Sequence, residues 1–264
     1  MQGSRPALEL LGVTRRFPAR DRGGVPFTAI ERLTLHVAPG EFVALVGPSG
    51  CGKSTVLNLV AGLDAPSEGE VFLAGERVTG PSGHVGFMLQ KDLLLPWRSI
   101  RRNVAFGLEA RGLSAAECEA RVARELARCR LTDFADRYPH QLSGGQRQRA
   151  ALARTLAIEP ELILLDEPFS ALDAQTKILL QRSFAATIAA SGVTTLLITH
   201  DLSEAVAMAD RILVMSERPG RIVEEIVVGL PDRHDPLARQ GLPRAAELMR
   251  HLLHALHLDD REEA

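Results

Sequence analysis

The sequence predicts an α/β fold with a buried parallel sheet, on three observations. Two uninterrupted apolar runs, Phe42-Val43-Ala44-Leu45-Val46 and Leu162-Ile163-Leu164-Leu165, have the length and continuity of strands covered on both faces. The first leads directly into Gly47-Pro48-Ser49-Gly50-Cys51-Gly52-Lys53-Ser54-Thr55, and the apolar-periodic Val56-Leu57-Asn58-Leu59-Val60-Ala61 follows: strand, glycine loop, helix start. The second ends on Asp166 and Glu167, two acids at the carboxyl end of a strand, where open α/β sheets bind their ligands.

The glycine loop suits a phosphate chain. Its glycines let the backbone wrap close to an anion, so that successive N–H groups and the positive end of the helix point at the β- and γ-phosphates of a nucleotide. Lys53 adds a mobile positive charge, Ser54 is placed to put its hydroxyl on Mg²⁺, and Thr55 supports the loop from the first helical turn. A turn that merely joined strand to helix would not require Lys-Ser at this point.

Composition agrees with one α/β domain carrying a substantial insertion: 264 residues, 45% hydrophobic and 24% charged. A net charge of −2 makes no electrostatic case for nucleic acid. Cys51, Cys118 and Cys129 lack metal-ligand spacing and read as reduced thiols of a cytoplasmic protein. The start has no apolar secretory core, and no run reaches the ~18 residues of a membrane span. The expectation is a chain soluble by itself, whose link to a membrane comes through a partner.

In chain order, Leu8 to Val37 reads as antiparallel strands, Leu8–Val13 and Leu33–Val37, around a turn at Arg22-Gly23-Gly24. Phe17 lies between the first strand and that turn, either as edge packing or as a flat face for an adenine ring. After the glycine loop come a turn cluster at Gly62–Glu70, a strand at Val71-Phe72-Leu73, and an apolar run Val85–Leu89 ending at Gln90. Gln90 is a polar boundary residue that reaches Mg²⁺ or the attacking water if its strand lies beside the phosphate loop.

Residues 91–141 interrupt the strand pattern and read as a small α-helical insertion standing off the core, with Val122, Leu126 and Cys129 at helical spacing. Its approach, Leu93-Leu94-Leu95-Pro96-Trp97-Arg98-Ser99-Ile100, holds the one Trp of the chain in a loop-like stretch suited to docking on another protein. The arginines that follow have glutamates among them and read as a solvated, salt-bridged face. At the end of the insertion, Leu142-Ser143-Gly144-Gly145-Gln146 precedes a helical run to Leu156, and Ser before two glycines at a helix start makes a second anion site. Asp166 suits Mg²⁺, through a water, and Glu167 suits the general base for the water that attacks a γ-phosphate.

Lys53-Ser54-Thr55, Gln90, Leu142-Ser143-Gly144-Gly145-Gln146, Asp166-Glu167, Ser170-Ala171-Leu172-Asp173 and Thr199-His200-Asp201 stand in the order of the ABC-type ATPases. From about Leu8 to Gly229 the chain resembles the nucleotide-binding subunit of an ABC transporter. The resemblance implies a P-loop NTPase fold with an antiparallel β subdomain and an α-helical insertion. It also implies two ATP molecules held head to tail between two such domains, so that each phosphate loop faces the partner's Ser143, Gly144, Gly145 and Gln146. In the same way it implies that His200 contacts the γ-phosphate, that Asp173 couples the two sites, and that Phe17 stacks on adenine. Lys91–Ile100 and Glu217-Arg218-Pro219-Gly220-Arg221-Ile222 are similar to the nitrate, sulfonate and taurine importer group, although Met88-Leu89 before Gln90 departs from the usual Val-Phe.

The organisation expected is therefore an ATPase domain over 1–230 and a short helical tail over 231–264. The tail begins in a linker-like Pro231–Pro236, then places Ala245, Leu248, Met249, Leu252, Leu253 and Leu256 on one stripe of a helix from Pro243 to Leu258. His251, His254 and His257 fall off that stripe and spread around the helix, which does not suit a zinc site. The expected cofactors are ATP and Mg²⁺, and the expected partners a second ATPase subunit, integral membrane permease subunits and, indirectly, a solute-binding protein. That places the chain on the cytoplasmic face of the inner membrane, held there by a permease. The same ATPase chemistry also serves soluble assemblies such as iron–sulfur cluster building, which is the alternative reading.

Overall fold

The computed structural model describes residues 5–18 and 26–256. In order they form β1 (Leu8–Phe17), β2 (Phe27–Val37), β3 (Phe42–Val46), α1 (Lys53–Val60), β4 (Glu68–Leu73), β5 (Glu76–Arg77), β6 (Val85–Met88), α2 (Ile100–Ala105), α3 (Ala115–Arg128) and α4 (Gly144–Ala157). There follow β7 (Leu162–Asp166), α5 (Ala174–Ser191), β8 (Thr194–Ile198), α6 (Leu202–Met208), β9 (Arg211–Met215), β10 (Ile222–Val227), α7 (Pro236–Gln240) and α8 (Pro243–Ala255). The turn expected at Arg22-Gly23-Gly24 lies outside the described residues, as do His257 and Leu258.

The strands make a six-stranded sheet in the order β10-β9-β3-β8-β7-β6 and a four-stranded sheet β2-β1-β4-β5. In the larger sheet β9, β3, β8, β7 and β6 run parallel and β10 is antiparallel on the edge; the smaller sheet is antiparallel throughout. The pleat explains the unbroken apolar runs. Phe42, Ala44 and Val46 point to a core shared with the helices, while Val43 and Leu45 point to a second core against α1 and the antiparallel sheet.

Three differences from the sequence reading have plain causes. The helical insertion does not stand off the core: Val104, Leu108, Val122 and Leu126 belong to the same buried cluster as Phe42 and Ala44. Helix α4 makes the join, because its alanines let it lie close to α2 and α3 on one side and α5 on the other. The linker-like stretch gives way to α7, capped by the Asp235 carboxylate, and fully buried Arg239 donates to the carbonyls of Ala207 (3.0 Å) and Leu230 (3.1 Å). The apolar stripe expected on the tail packs inward: Ala245, Leu248 and Leu252 are in the main core, and α8 lies against α6. Strand β10 escapes the sequence reading because an edge strand with Glu224 and Glu225 in it lacks the apolar run of its neighbours.

Candidate functional site

Sheet order decides what meets at the site. β8 lies between β3 and β7, so the phosphate loop after β3, His200 after β8 and the acids at the end of β7 emerge side by side from one sheet edge. Neighbouring strands sit about 4.8 Å apart, which brings three distant segments of sequence within reach of one ligand.

The loop itself is tightly constrained. Gly52 has φ +111° and caps the N-terminus of α1, and a Cβ there would lie 2.7 Å from the Ile30 side chain. Only glycine fits. The Lys53 ammonium is buried and donates to the carbonyls of Gly47 (2.6 Å) and Pro48 (2.9 Å), with the Cys51 sulfur at 3.8 Å. Ser54 is exposed at the start of α1, where helix N–H groups are free to meet an anion. These residues open on a cleft of about 380 Å³ that Phe17, Phe27 and Glu167 also line. The two rings are stacked, with centroids 5.2 Å apart and planes 20° apart, and the Arg15 guanidinium lies 4.6 Å from the Phe17 centroid.

Asp166 and Glu167 differ in environment despite being adjacent. Burial, and then the neighbouring Glu167 carboxylate, push the Asp166 carboxyl above its usual range, while Lys53 pulls it down. Glu167 takes a left-handed φ of +45° and its N–H donates to the Ile198 carbonyl (2.9 Å), so the chain turns sharply there. The turn lays its carboxylate against His200, with Oε2 3.1 Å from Nδ1. The Asp166 and Glu167 carboxylates, with the Ser54 hydroxyl in the cleft that Glu167 lines, are hard-oxygen donors of the kind Mg²⁺ takes, and these residue types fit it.

The residues on either side of His200 are tied down. Lys177, on the second turn of α5, reaches Asp201 Oδ2 (2.7 Å) and Glu204 Oε1 (2.6 Å), and the Thr199 hydroxyl donates to Glu204 Oε2 (2.5 Å). Glu204 is only 2% exposed and burial raises its pKa, whereas Asp201 overcomes burial through Lys177 and Ser203 and is lowered. The ion group therefore joins the loop around His200 to α5, whose N-cap is Asp173. Replacing Lys177 with Met is expected to strand Glu204 and cost about 3 kcal/mol of stability. Pairing it with Glu204→Met should recover much of that loss in urea denaturation.

The second anion site sits elsewhere on the surface. Ser143 caps α4, its hydroxyl accepting from Gln146 N–H (3.3 Å) while Gln146 Oε1 accepts from Ser143 N–H (2.8 Å). Gly144 lines a different groove, shared with Gln90, Lys91 and Arg147. Gln90 follows β6, which β8 and β7 separate from β3, and its amide donates to the Ser170 hydroxyl (3.0 Å), which donates to the Glu167 carbonyl (2.9 Å). Asp173 is exposed, and hydrogen bonds from Thr176 hold its carboxyl below the usual range. Phe17, the phosphate-loop residues from Ser49 to Thr55 and Glu167 thus share one cleft, Asp166 precedes Glu167 at the end of β7 and His200 lies against Glu167, whereas Gln90, Asp173 and Ser143–Gln146 do not line that cleft.

The loop over 91–99 is ordered by α2 and α4. Arg147 Nε reaches Asp92 (3.1 Å), Arg154 donates to the carbonyls of Asp92 and Leu93 (both 2.7 Å), and buried Asn103 bonds the backbone of Leu95, Arg98 and Ser99. Leu94 is buried by this arrangement, while Leu93 (54% exposed) and Trp97 (72%) face solvent. Phe27, Lys177 and Glu204 escaped the sequence reading, and Arg218, singled out there only within Glu217–Ile222, turns out to line the cleft. Lys177 stands one turn after Asp173, but spacing alone does not reveal that its partners lie beyond β8.

The model of the ABC transporter family matches residues 30–170. Among curated relatives, the nitrate import ATP-binding protein NrtD of Synechocystis sp. is 42% identical, covering 88% of this chain and 86% of its own. The aliphatic sulfonates import ATP-binding protein SsuB 1 of Xanthomonas axonopodis pv. citri is 45% identical, covering 87% of this chain and 92% of its own. Among solved structures, the dimeric post-hydrolysis state of the ATP-binding cassette MJ0796 bound to ADP and Pi is 32% identical with a TM-score of 0.70, covering 84% of this chain and 98% of that one. With the family matched over the phosphate loop and both acids, and relatives this similar over most of its length, the chain belongs to the ABC transporter family.

Proposed function

We propose that this chain is the ATP-hydrolysing subunit of an importer for a small solute of the nitrate, sulfonate or taurine kind. One observation carries the reading: the starts of α1 and α4 lie on different surfaces of one chain, Ser54 lining one cleft and Gly144 another. A second copy, turned head to tail, brings Ser143, Gly144, Gly145 and Gln146 onto the phosphates held by the first. Asp173 lies between the two sites in that pairing.

In the closed pair, Phe17 stacks on the base, the loop N–H groups from Gly47 to Thr55 and the Lys53 ammonium hold the phosphates, and Ser54, Asp166 and Gln90 are the residues that would hold Mg²⁺. When bound, Mg²⁺ would supply charge neutralisation on the phosphates. Glu167 Oε2 takes the proton of the attacking water, and His200, held at 3.1 Å, fixes that carboxylate and meets the γ-phosphate. Closure moves α4, and Arg147 and Gln148, tied to Asp92 and to the Gln90 carbonyl, carry the movement to the loop over 91–99. Leu93 and Trp97 form the apolar contact for a permease on the cytoplasmic face of the membrane, and a solute-binding protein selects the substrate beyond it.

The test is to purify tagged Glu167→Gln chain with Mg²⁺-ATP from gently solubilised membranes and identify what accompanies it. An integral membrane subunit is expected, and its recovery should fall at least about tenfold when Leu93 and Trp97 are both replaced by Ala, since such apolar anchors contribute ≥ ~2 kcal/mol. Recovery of soluble partners alone would overturn the importer reading and leave the ATPase chemistry standing.

A further inference from the structure

Residues 216–221 join β9 to β10 at the same sheet edge from which the phosphate loop leaves β3, because β9 lies beside β3 with Val214 opposite Val46. The segment is locked into a turn: Ser216 N–H donates to the Arg221 carbonyl (2.9 Å), Arg221 N–H returns to the Ser216 hydroxyl (3.0 Å), and that hydroxyl donates to the Pro219 carbonyl (3.1 Å). It is also fastened to β2, with Gly220 N–H on the Ala29 carbonyl (2.9 Å) and Glu31 N–H on the Gly220 carbonyl (3.0 Å). Gly220 presses so close to the phosphate loop that a Cβ on it would lie 2.1 Å from the Cys51 carbonyl oxygen. A rigid turn is thereby seated against the nucleotide cleft, and its Arg218 side chain lines that cleft.

Arg218 is held at two points. Its Nε and Nη2 donate to the Gly50 carbonyl at 3.1 and 2.8 Å, and its guanidinium carbon lies 5.1 Å from the centroid of Phe27, the ring stacked on Phe17. A guanidinium is planar, always charged and weakly hydrated, so it stacks well on aromatic faces. Two of its five N–H donors meet Gly50, and the outer edge retains donors for a ligand.

We propose that Arg218 is a nucleotide-binding residue of this chain, extending the Phe17–Phe27 platform and receiving the purine nucleoside end of the ligand by stacking and by N–H donation to base nitrogens. The assignment rests on the nucleotide reading given above. It gives Glu217–Ile222 a physical purpose: Gly220 allows the close approach, and Arg218 uses it.

The test compares the full-length wild type with Arg218→Ala and Arg218→Lys by equilibrium titration with Mg²⁺-ATP and by steady-state ATPase assay. For Arg218→Ala, Kd and KM should rise about two- to fivefold, the scale of a cation–π contact at an exposed site, while kcat falls less than about twofold. Arg218→Lys should fall between the two, because an ammonium keeps the charge and loses the planar stack. Unchanged ATP affinity in Arg218→Ala, or full recovery by Lys, would overturn the proposal. So would a kcat falling in step with affinity, since that marks a residue that only positions the phosphate loop. A wild type that binds no ATP would instead overturn the nucleotide reading itself.

Discussion

Replacing Glu167 with Gln is expected to leave Mg²⁺-ATP binding intact while lowering kcat at least about a hundredfold, the smaller end of what a general base contributes. The amide is nearly the same size as the carboxylate and its oxygen still accepts from His200 Nδ1, which lies 3.1 Å from Oε2 in the wild type. What it cannot do is take a proton from water. The left-handed turn at φ +45° is a backbone property set by the Ile198 carbonyl contact, so the loop should hold its shape. With ATP bound and unspent, the head-to-tail pair should accumulate, and size-exclusion chromatography with Mg²⁺-ATP should show a dimer that wild type forms only transiently. Wild-type turnover by Glu167→Gln would remove the general-base role from this residue.

Lys53→Ala acts one step earlier. Its ammonium is buried and satisfied by the carbonyls of Gly47 and Pro48, so it already sits inside the loop that wraps the phosphates. A charge-assisted hydrogen bond contributes about 1.5–3 kcal/mol, which at ~1.4 kcal/mol per decade is roughly a tenfold to hundred-and-fifty-fold rise in Kd for ATP. Isothermal titration should read that loss directly, and ATPase activity should fall with it. The contrast between the two variants is the informative result: one retains ligand and stalls, the other loses ligand. Equal ATP affinity in Lys53→Ala and wild type would mean that the backbone N–H groups alone hold the phosphates.

Much of this protein was legible in its sequence because its signals are local. A strand, a glycine loop and a helix start are neighbours in the chain, and steric rules at Gly52 leave only glycine. The same holds for Ser143 at the head of α4 and for Asp166-Glu167 at the end of β7, whose residue types state their chemistry without reference to distant partners. The family resemblance added the head-to-tail pairing, which the residues of one chain could suggest only by offering two anion sites.

The rest was decided by tertiary structure, for a physical reason visible at each case. Strand order is not written in any one segment: that β8 separates β3 from β7, and so sets His200 beside Glu167, follows from the way the whole sheet assembles. Lys177 looks like a solvent-facing helix residue until α5 meets α6 and buried Glu204 needs a counter-charge. Leu94 and Trp97 are three residues apart in one apolar stretch, yet Asn103, Arg147 and Arg154 fold that stretch so that one is buried and the other exposed. Arg218 lies 168 residues from Gly50 and reaches it because β9 pairs with β3. By itself the sequence determined the nucleotide chemistry, since that depends on residue types at short spacing. Only the tertiary structure decided which distant side chains share the cleft, since that depends on pairing, burial and the need of each buried charge for a partner.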